Sequence, residues 1–198
     1  MKKYLLGALF IMSAAVYSQD NQVIVPVVDG NATANLGIEV TGRVFDPADL
    51  SLVVEIKSAA SANGTGFAFT MPNMFAGEKN VKTVQGDFDV YVRKNVTSNG
   101  TTTTTKYPLQ GLKIDLVQAG TAAGTATTDS PAGTASGVTL DYSLVGGTAG
   151  TAGAITHNGG VVVKATTTDK TTVGTYSDTS VQLRVAVTGQ TIPVVPGP

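Results

Sequence analysis

The stretch Ser180–Thr188, SVQLRVAVT, decides the fold class of this chain. Its apolar residues alternate with polar or small ones, which is the period of a β-strand with one dry face and one wet face. Four aliphatic side chains left in water would forgo roughly 6–12 kcal/mol of burial, so the strand requires a facing apolar layer. The sequence therefore predicts a packed sheet here and leaves open which backbone lies along the strand's edges. The dry residues are Val181, Leu183, Val185 and Val187.

The rest of the chain has the composition of an all-β protein. Thr, Val, Gly, Asn and Ala are abundant, and no window after the N-terminal segment has a sustained 3.6-residue apolar stripe. Turn signals such as Asp29-Gly30, Asn99-Gly100 and Gly146-Gly147 separate short apolar segments. We predict an immunoglobulin-like antiparallel β-sandwich of about 7–9 strands, with a barrel as the alternative. The predicted strands are Gln22–Val28, Leu36–Phe45, Leu50–Ile56, Gly66–Met71, Asp87–Lys94, Tyr107–Val117, Gly137–Val145, Val161–Thr166 and Thr179–Thr188.

The N-terminus has the features of a secretory signal peptide. Lys2 and Lys3 precede an apolar run, residues 4–15, that is too short to span a bilayer comfortably, and Val16 and Ser18 fit a cleavage site. An uncleaved anchor is the alternative, and no later segment is apolar enough to cross a membrane as a helix. We predict an exported protein. Its predicted parts are a signal peptide 1–18, an N-terminal extension 19–35, a β-sandwich domain 36–190 and a C-terminal tail 191–198.

Composition excludes several classes of function. The chain has no cysteine, so we expect no thiolate nucleophile, no disulfide and no structural zinc site of the usual type. Its formal net charge of −1 argues against nucleic acid as a partner. The only histidine, His157, lies in the polar sequence THNGG, where a His-based triad or metal site would have to form around a loop tip. We therefore predict no catalytic residue, no metal site and no cofactor.

Paired carboxylates are the remaining candidates for chemistry. Asp87 and Asp89 share the outer face of one predicted strand, where alternation alone places them in water. Asp46 and Asp49 have the positions of turn-capping residues. A solvated strand face and a capped turn are therefore expected in preference to a glycosidase or calcium site.

Low-complexity segments are predicted as exposed loops. Residues 119–137 and 146–154 repeat an Ala-Gly-Thr unit without a fixed longer period, so they offer little to bury. The run Thr101–Thr105 follows Asn99-Gly100, and we predict that it forms the tip of a hairpin.

Two apolar runs near the N-terminus raise the question of a partner. The first, NQVIVPVVDG, contains Pro26, which cannot donate to a central ladder, so this run is either an edge strand or an arm. The second alternates Leu36, Ile38, Val40 and Val44 with other residues. An exposed apolar arm is an aggregation hazard unless something covers it. In an exported protein, another subunit is one such cover.

The two ends of the chain resemble a known family. VTGRVFDPADL at Val40–Leu50 and GTYSDTSVQLRVAVT at Gly174–Thr188 resemble the major pilin subunits of the chaperone–usher pathway. The likeness is to the cysteine-free alternate group that includes the CFA/I-type fimbriae, and a similar ending occurs in spore coat U-like secreted domains. The middle of the chain shares no such motif. The run before Asn31 and the tail QTIPVVPGP are departures from the family pattern.

The resemblance implies a sandwich that lacks its final strand and receives it from the N-terminal extension of the next subunit. The protein would then be a structural subunit of a fimbria, a polymer of identical chains, and its expected partners are a periplasmic chaperone and an outer-membrane usher. The implied donor residues are Leu36, Ile38, Val40 and Val44, and the implied acceptor-groove residues are Val181, Leu183, Val185 and Val187.

A second hypothesis needs no polymer. The chain could be a self-contained secreted or surface adhesin domain that recognises glycan or protein through its Thr- and Gly-rich loops. An enzyme is the least favoured class. A self-contained domain keeps residues 19–45 paired within its own sheets, whereas a filament subunit leaves part of that segment free or exchanges it between chains.

Overall fold

A computed structural model describes residues 17–19, 22–27, 29–36, 50–57, 66–118, 124–151 and 153–191. All regular structure in these ranges is β-strand, which confirms the all-β prediction. No helix of the described residues is long and apolar enough to cross a membrane. The strands are β1 (Tyr17–Gln19), β2 (Gln22–Pro26), β3 (Ala32–Leu36), β4 (Leu50–Ile56), β5 (Asn80–Ser98), β6 (Thr101–Tyr107), β7 (Lys113–Val117), β8 (Thr125–Thr128), β9 (Ala132–Gly133), β10 (Val138–Val145), β11 (His157–Thr167), β12 (Tyr176–Ser177) and β13 (Gln182–Val187).

The strands form two antiparallel sheets that pack face to face. The large sheet has the order β1-β2-β4-β5-β11-β10-β8, and β6 pairs with the second half of β5. The small sheet has the order β3-β13-β7, and a two-stranded ribbon joins β9 to β12. The structure has more strands than the sequence predicts. The predicted strands contain at most one residue of β1, β3, β6, β8, β9 or β12. Of these six, β1, β9 and β12 are only two or three residues long, and β3, β6 and β8 consist mainly of Thr, Ala and Asn without an apolar stripe.

The core lies between the two sheets, because alternate side chains of each strand point towards the facing sheet. In β4, Leu52 and Val54 face the core, and in β13 Leu183, Val185 and Val187 do the same. The predicted dry face of β13 is therefore confirmed, with Val181 half-buried just before the strand. The most deeply buried large side chains are Phe88, Leu52, Ile114, Val53, Val54, Val90, Val92, Val138, Val185 and Val187.

Three local predictions are corrected. The segment Gly66–Met71 is not a strand: only Phe67 makes a bridge, and Pro72, which has no N–H to donate, follows at once. The hairpin tip is Asn99-Gly100, where both residues have positive φ (50° and 76°), and the run Thr101–Thr105 belongs to β6. His157 is not at a loop tip: it begins β11 and is buried.

Candidate functional site

The strand β13 lies at the centre of the small sheet, and both of its edges are paired with strands of the same chain. On one side β3 runs antiparallel to it, with Leu36 opposite Leu183 and Ala34 opposite Val185. On the other side β7 runs antiparallel, with Leu116 opposite Leu183. The backbone beside the last strand therefore comes from the N-terminal segment of the chain itself.

The fit of β3 against the core depends on small side chains. Ala32 and Ala34 are buried, whereas Thr33 between them is exposed. Alanine adds little apolar area, so β3 is held to β13 mainly by ladder hydrogen bonds and only weakly by side-chain burial. This weak apolar content distinguishes β3 from the two other strands of its sheet.

On the face of the small sheet that points away from the core, an ion cluster links β13 to β7. Arg184 donates a hydrogen bond to the Asp115 carboxylate at 2.8 Å, and the Lys113 ammonium lies 3.5 Å from the same oxygen. Burial of Asp115 acts to raise the pKa of its carboxyl, but the hydrogen bonds and charges of Arg184 and Lys113 outweigh burial and lower that pKa. Because the partners are on adjacent strands, the cluster favours the observed register.

The predicted donor and acceptor residues are only partly within the described structure. Leu36 is the last residue of β3, and Ile38, Val40 and Val44 lie outside the described residues. The acceptor residues Leu183, Val185 and Val187 are in β13, and Val181 precedes it. The structure brings Leu36 and Leu183 together within one chain. The strand β3 also crosses the predicted boundary between the extension 19–35 and the domain.

The N-terminal segment passes from the large sheet to the small one at Asp29-Gly30. On one side of this turn β2 pairs with β4, and on the other β3 pairs with β13. Gly30 has a φ of 76°, and its carbonyl accepts a hydrogen bond of 2.6 Å from the backbone N–H of Gln190. The turn and the chain after β13 are therefore tied together.

Gln190 closes this end of the sandwich and was not predicted as a functional residue. Its side chain is buried. The side-chain amide donates a hydrogen bond to the Pro108 carbonyl at 2.9 Å and accepts one from the backbone N–H of Gln110 at 3.0 Å. It thereby joins the loop before β7 to the chain after β13. A single glutamine in GQT carries no sequence signal that would have revealed this role.

At the opposite end, where β13 begins, the two sheets separate around a cavity of about 850 Å³. We call it the end cavity. Its floor is the core side of β10 and β11, and its walls are the irregular segment 67–76 and the segment 171–179, which includes β12. The sequence signal is the cluster FAFTMPNMF, of which only the first part, within Gly66–Met71, is predicted as a strand. Its apolar lining includes Phe67, Phe69, Met71, Met74, Phe75, Leu140, Val163, Val173, Val181 and Leu183.

Of the acidic residues considered from sequence, Asp87 and Asp89 are described, and both have structural partners. Asp87 accepts a hydrogen bond from the Gln85 side-chain amide at 2.6 Å. Asp89 is in an ion pair with Lys57 and accepts a hydrogen bond from the Asn158 amide, so it is not the freely solvated group that alternation predicts. Burial lowers the pKa of the neighbouring His157, and the nearby Asp89 opposes that shift. Asp46 and Asp49 lie outside the described residues. Within the described ranges, no group of three or more His, Cys, Asp or Glu side chains could hold a metal ion.

Comparison with protein-family models, with curated proteins and with solved structures finds no match to this chain. Its function is therefore inferred from the residues of the site and their geometry.

Proposed function

We propose that this protein is the structural subunit of a surface filament, in which the N-terminal segment of one chain completes the small sheet of the next. The supporting observation is the position of β3. An N-terminal strand, and not the chain that follows β13, fills the edge beside the last strand, with Leu36 opposite Leu183. This is the position that the donor strand of a neighbouring subunit takes in strand addition.

Exchange of this segment would keep every ladder bond. When β2 and β3 of one chain pair with β4 and β13 of another, the same backbone groups are satisfied between chains as within one. Without β3, one edge of β13 would be unpaired and would expose its ladder groups, although the other edge stays paired with β7. A chaperone that covers this edge before assembly is the partner that such a subunit requires.

Head-to-tail exchange also accounts for a filament rather than a closed dimer. Each chain offers one N-terminal segment and one edge of β13. When these two surfaces engage different neighbours the contact is heterologous, whereas reciprocal exchange between two chains would close a dimer. A heterologous contact whose rotation does not return to the start adds subunits without limit.

A self-contained surface adhesin domain is the second candidate function. It is favoured by the pairing of residues 22–26 and 32–36 with β4 and β13 of the same chain. In that case the binding surface would lie elsewhere on the molecule, and β3 would stay in place for the lifetime of the fold.

Single-cysteine variants distinguish these two functions, because the chain has no cysteine of its own. Ala34→Cys and Val185→Cys replace residues that lie directly opposite each other in the β3–β13 ladder, which is within the span of a disulfide. The two variants, one carrying a size tag, are mixed during assembly and oxidised. A filament subunit gives a reducible species that joins the two different chains.

The matched control uses Asp141→Cys and Lys164→Cys, which face each other on β10 and β11. Strand exchange at the N-terminus does not separate these two strands, so the mixture of these variants measures random cross-linking. If Ala34→Cys and Val185→Cys link only when both are in one chain, the filament proposal is wrong and the self-contained domain stands.

A further inference from the structure

The end cavity has the size of a ligand site. Small-molecule pockets in proteins enclose roughly 300–1,000 Å³, and the end cavity encloses about 850 Å³. Its floor consists of residues that belong to the buried core, such as Leu140 and Val163. A ligand in it would therefore contact the interior of the sandwich directly.

The walls suit a flexible apolar chain. Met71 and Met74 line one wall beside the stacked rings of Phe67 and Phe69, whose centroids are 5.5 Å apart. Methionine is unbranched and adapts to ligands of irregular outline. The segment that carries these four residues has no regular strand or helix, so its side chains are not bound to the strict alternation of a sheet.

The mouth of the end cavity is apolar as well. Phe75 is 68% exposed and Val173 is 87% exposed, and both line the cavity. They are the two most exposed large hydrophobic residues in the described part of the chain, where the next is Val81 at 56%. Exposed apolar side chains that cluster at the opening of a cavity mark an interaction site more strongly than scattered ones do.

A negatively charged side chain in the cavity lining restricts which head groups an apolar ligand can carry. Asp178 is the only charged residue among the described residues that line it. Its carboxylate accepts hydrogen bonds of 2.7 Å from Tyr142 and from Thr128, and it also accepts from Ser180. Partial burial acts to raise the pKa of the Asp178 carboxyl, but these hydrogen bonds outweigh it and lower that pKa. The lining thus carries a fixed negative charge and no described cation.

We propose that the end cavity binds the alkyl chain of an uncharged or cationic amphiphile. An anionic head group would meet the Asp178 carboxylate without a cation to balance it. A sugar-headed or ammonium-headed amphiphile meets no such repulsion. This inference does not depend on the filament proposal, since the end cavity lies at the end of β13 opposite Gln190.

The full exported chain tests this with three probes that share a twelve-carbon chain, each used below its micelle concentration. The probes are dodecyl maltoside, dodecyltrimethylammonium and dodecanoate. Binding is followed by calorimetry and by NMR of methyl-labelled methionine, with Met71→Leu and Met74→Leu assigning the signals. We expect saturable binding of the first two probes with shifts of both methionine methyls, and binding of dodecanoate weaker by about ten-fold or more.

Variants at the cavity and outside it locate the binding. Leu140→Trp fills the cavity and should weaken binding about ten-fold or more. Phe75→Ser changes only the exposed mouth and should weaken it about three-fold, whereas Val96→Ser, which removes an exposed apolar side chain far from the cavity lining, should not change it.

Three results would overturn the proposal. One is no binding of the neutral and cationic probes. Another is equal affinity for all three probes with no effect of Leu140→Trp or Phe75→Ser. The third is a methionine shift produced by a peptide with the sequence of residues 192–198 but by none of the alkyl probes, which would assign the cavity to a segment of another copy of this chain.

Discussion

Leu36 and Leu183 lie directly opposite each other in an antiparallel ladder, although they are near opposite ends of the chain. This pairing places an N-terminal strand beside the last strand of the small sheet. Two residues further along the same ladder, Ala34 and Val185 lie opposite each other, and both are buried. A charge introduced at Ala34 should therefore destabilise the domain, although β3 itself contributes little apolar burial.

Ala34→Asp should destabilise the fold by about 3–5 kcal/mol, because it buries a carboxylate without a partner between the sheets. Thr33→Asp, one residue away on the exposed face of β3, should change the free energy of unfolding by no more than about 0.5 kcal/mol. Urea unfolding of both variants measures the difference. Equal effects of the two would mean that β3 does not pack on this core.

Asp115→Asn should lower stability at neutral pH by about 1–3 kcal/mol, since it removes the charge that Arg184 and Lys113 hold. The folded protein lowers the pKa of this carboxyl below its ordinary value of 3.8, so its stabilising effect is complete above that value and is lost as the pH falls through the lower, folded-state pKa. The stability gap between the variant and the original chain should therefore narrow in acid.

Thermal unfolding at several pH values checks this behaviour. Asp141→Asn is the matched control: its carboxylate pairs with Lys164 at 2.8 Å, but both side chains are more than one-third exposed, and such a pair contributes only about 0–1 kcal/mol. A stability difference between Asp115→Asn and the original chain that stays constant in acid would contradict the conclusion that Asp115 is ionised in the folded protein at neutral pH.

Gln190→Ala should cost about 1–3 kcal/mol, because it removes two part-buried hydrogen bonds, one from the backbone N–H of Gln110 and one to the Pro108 carbonyl. The Gln110 amide should also exchange with solvent faster. Thr191→Ala, which removes a hydroxyl at an exposed neighbouring position, is the control and should leave that exchange rate unchanged. Hydrogen exchange followed by NMR measures the exchange rate of the Gln110 N–H in both variants. An unchanged rate in Gln190→Ala would show that the Gln190 side chain does not protect this N–H from solvent.

The sequence was informative where apolar alternation was strong. The dry face of β13, the strand β4 and the turn at Asn99-Gly100 follow from pattern and turn chemistry alone. The strand β3 was not predicted, because Ala32–Leu36 has only small or polar residues before Leu36. Its pairing with β13 depends on backbone hydrogen bonds, which the pattern of side chains does not reveal.

The end cavity was missed for the opposite reason. Phe67, Phe69 and Met71 alternate as a strand would, but they line an irregular wall whose path is set by Pro72 and by contacts far along the chain. His157 was misjudged because THNGG has the residues of a turn, whereas its pairing across β5 extends β11 through it, with His157 opposite Val90. Long-range strand pairing therefore decided the structure at His157.

Gly30→Ala tests the turn by which the N-terminal segment crosses between the sheets. Gly30 and Gly77 have nearly the same φ, 76° and 75°, so alanine at either position pays a similar left-handed backbone cost of about 1–2 kcal/mol. A Cβ at Gly77 would meet nothing within 4 Å, but one at Gly30 would lie 3.2 Å from the Gln190 carbonyl oxygen. Gly30→Ala should therefore be the more destabilising of the two.

The excess of Gly30→Ala over Gly77→Ala measures how firmly this crossing turn is held against the chain after β13. We expect the excess to disappear when Gly30→Ala and Gly77→Ala are compared in a chain truncated after Thr188, because Gly189 and Gln190, the two residues that a Cβ at Gly30 would contact, are then absent. Urea unfolding of the four proteins gives the double-mutant comparison. An excess that survives the truncation would place the strain within the turn itself, and the N-terminal segment would then be anchored by its two ladders alone.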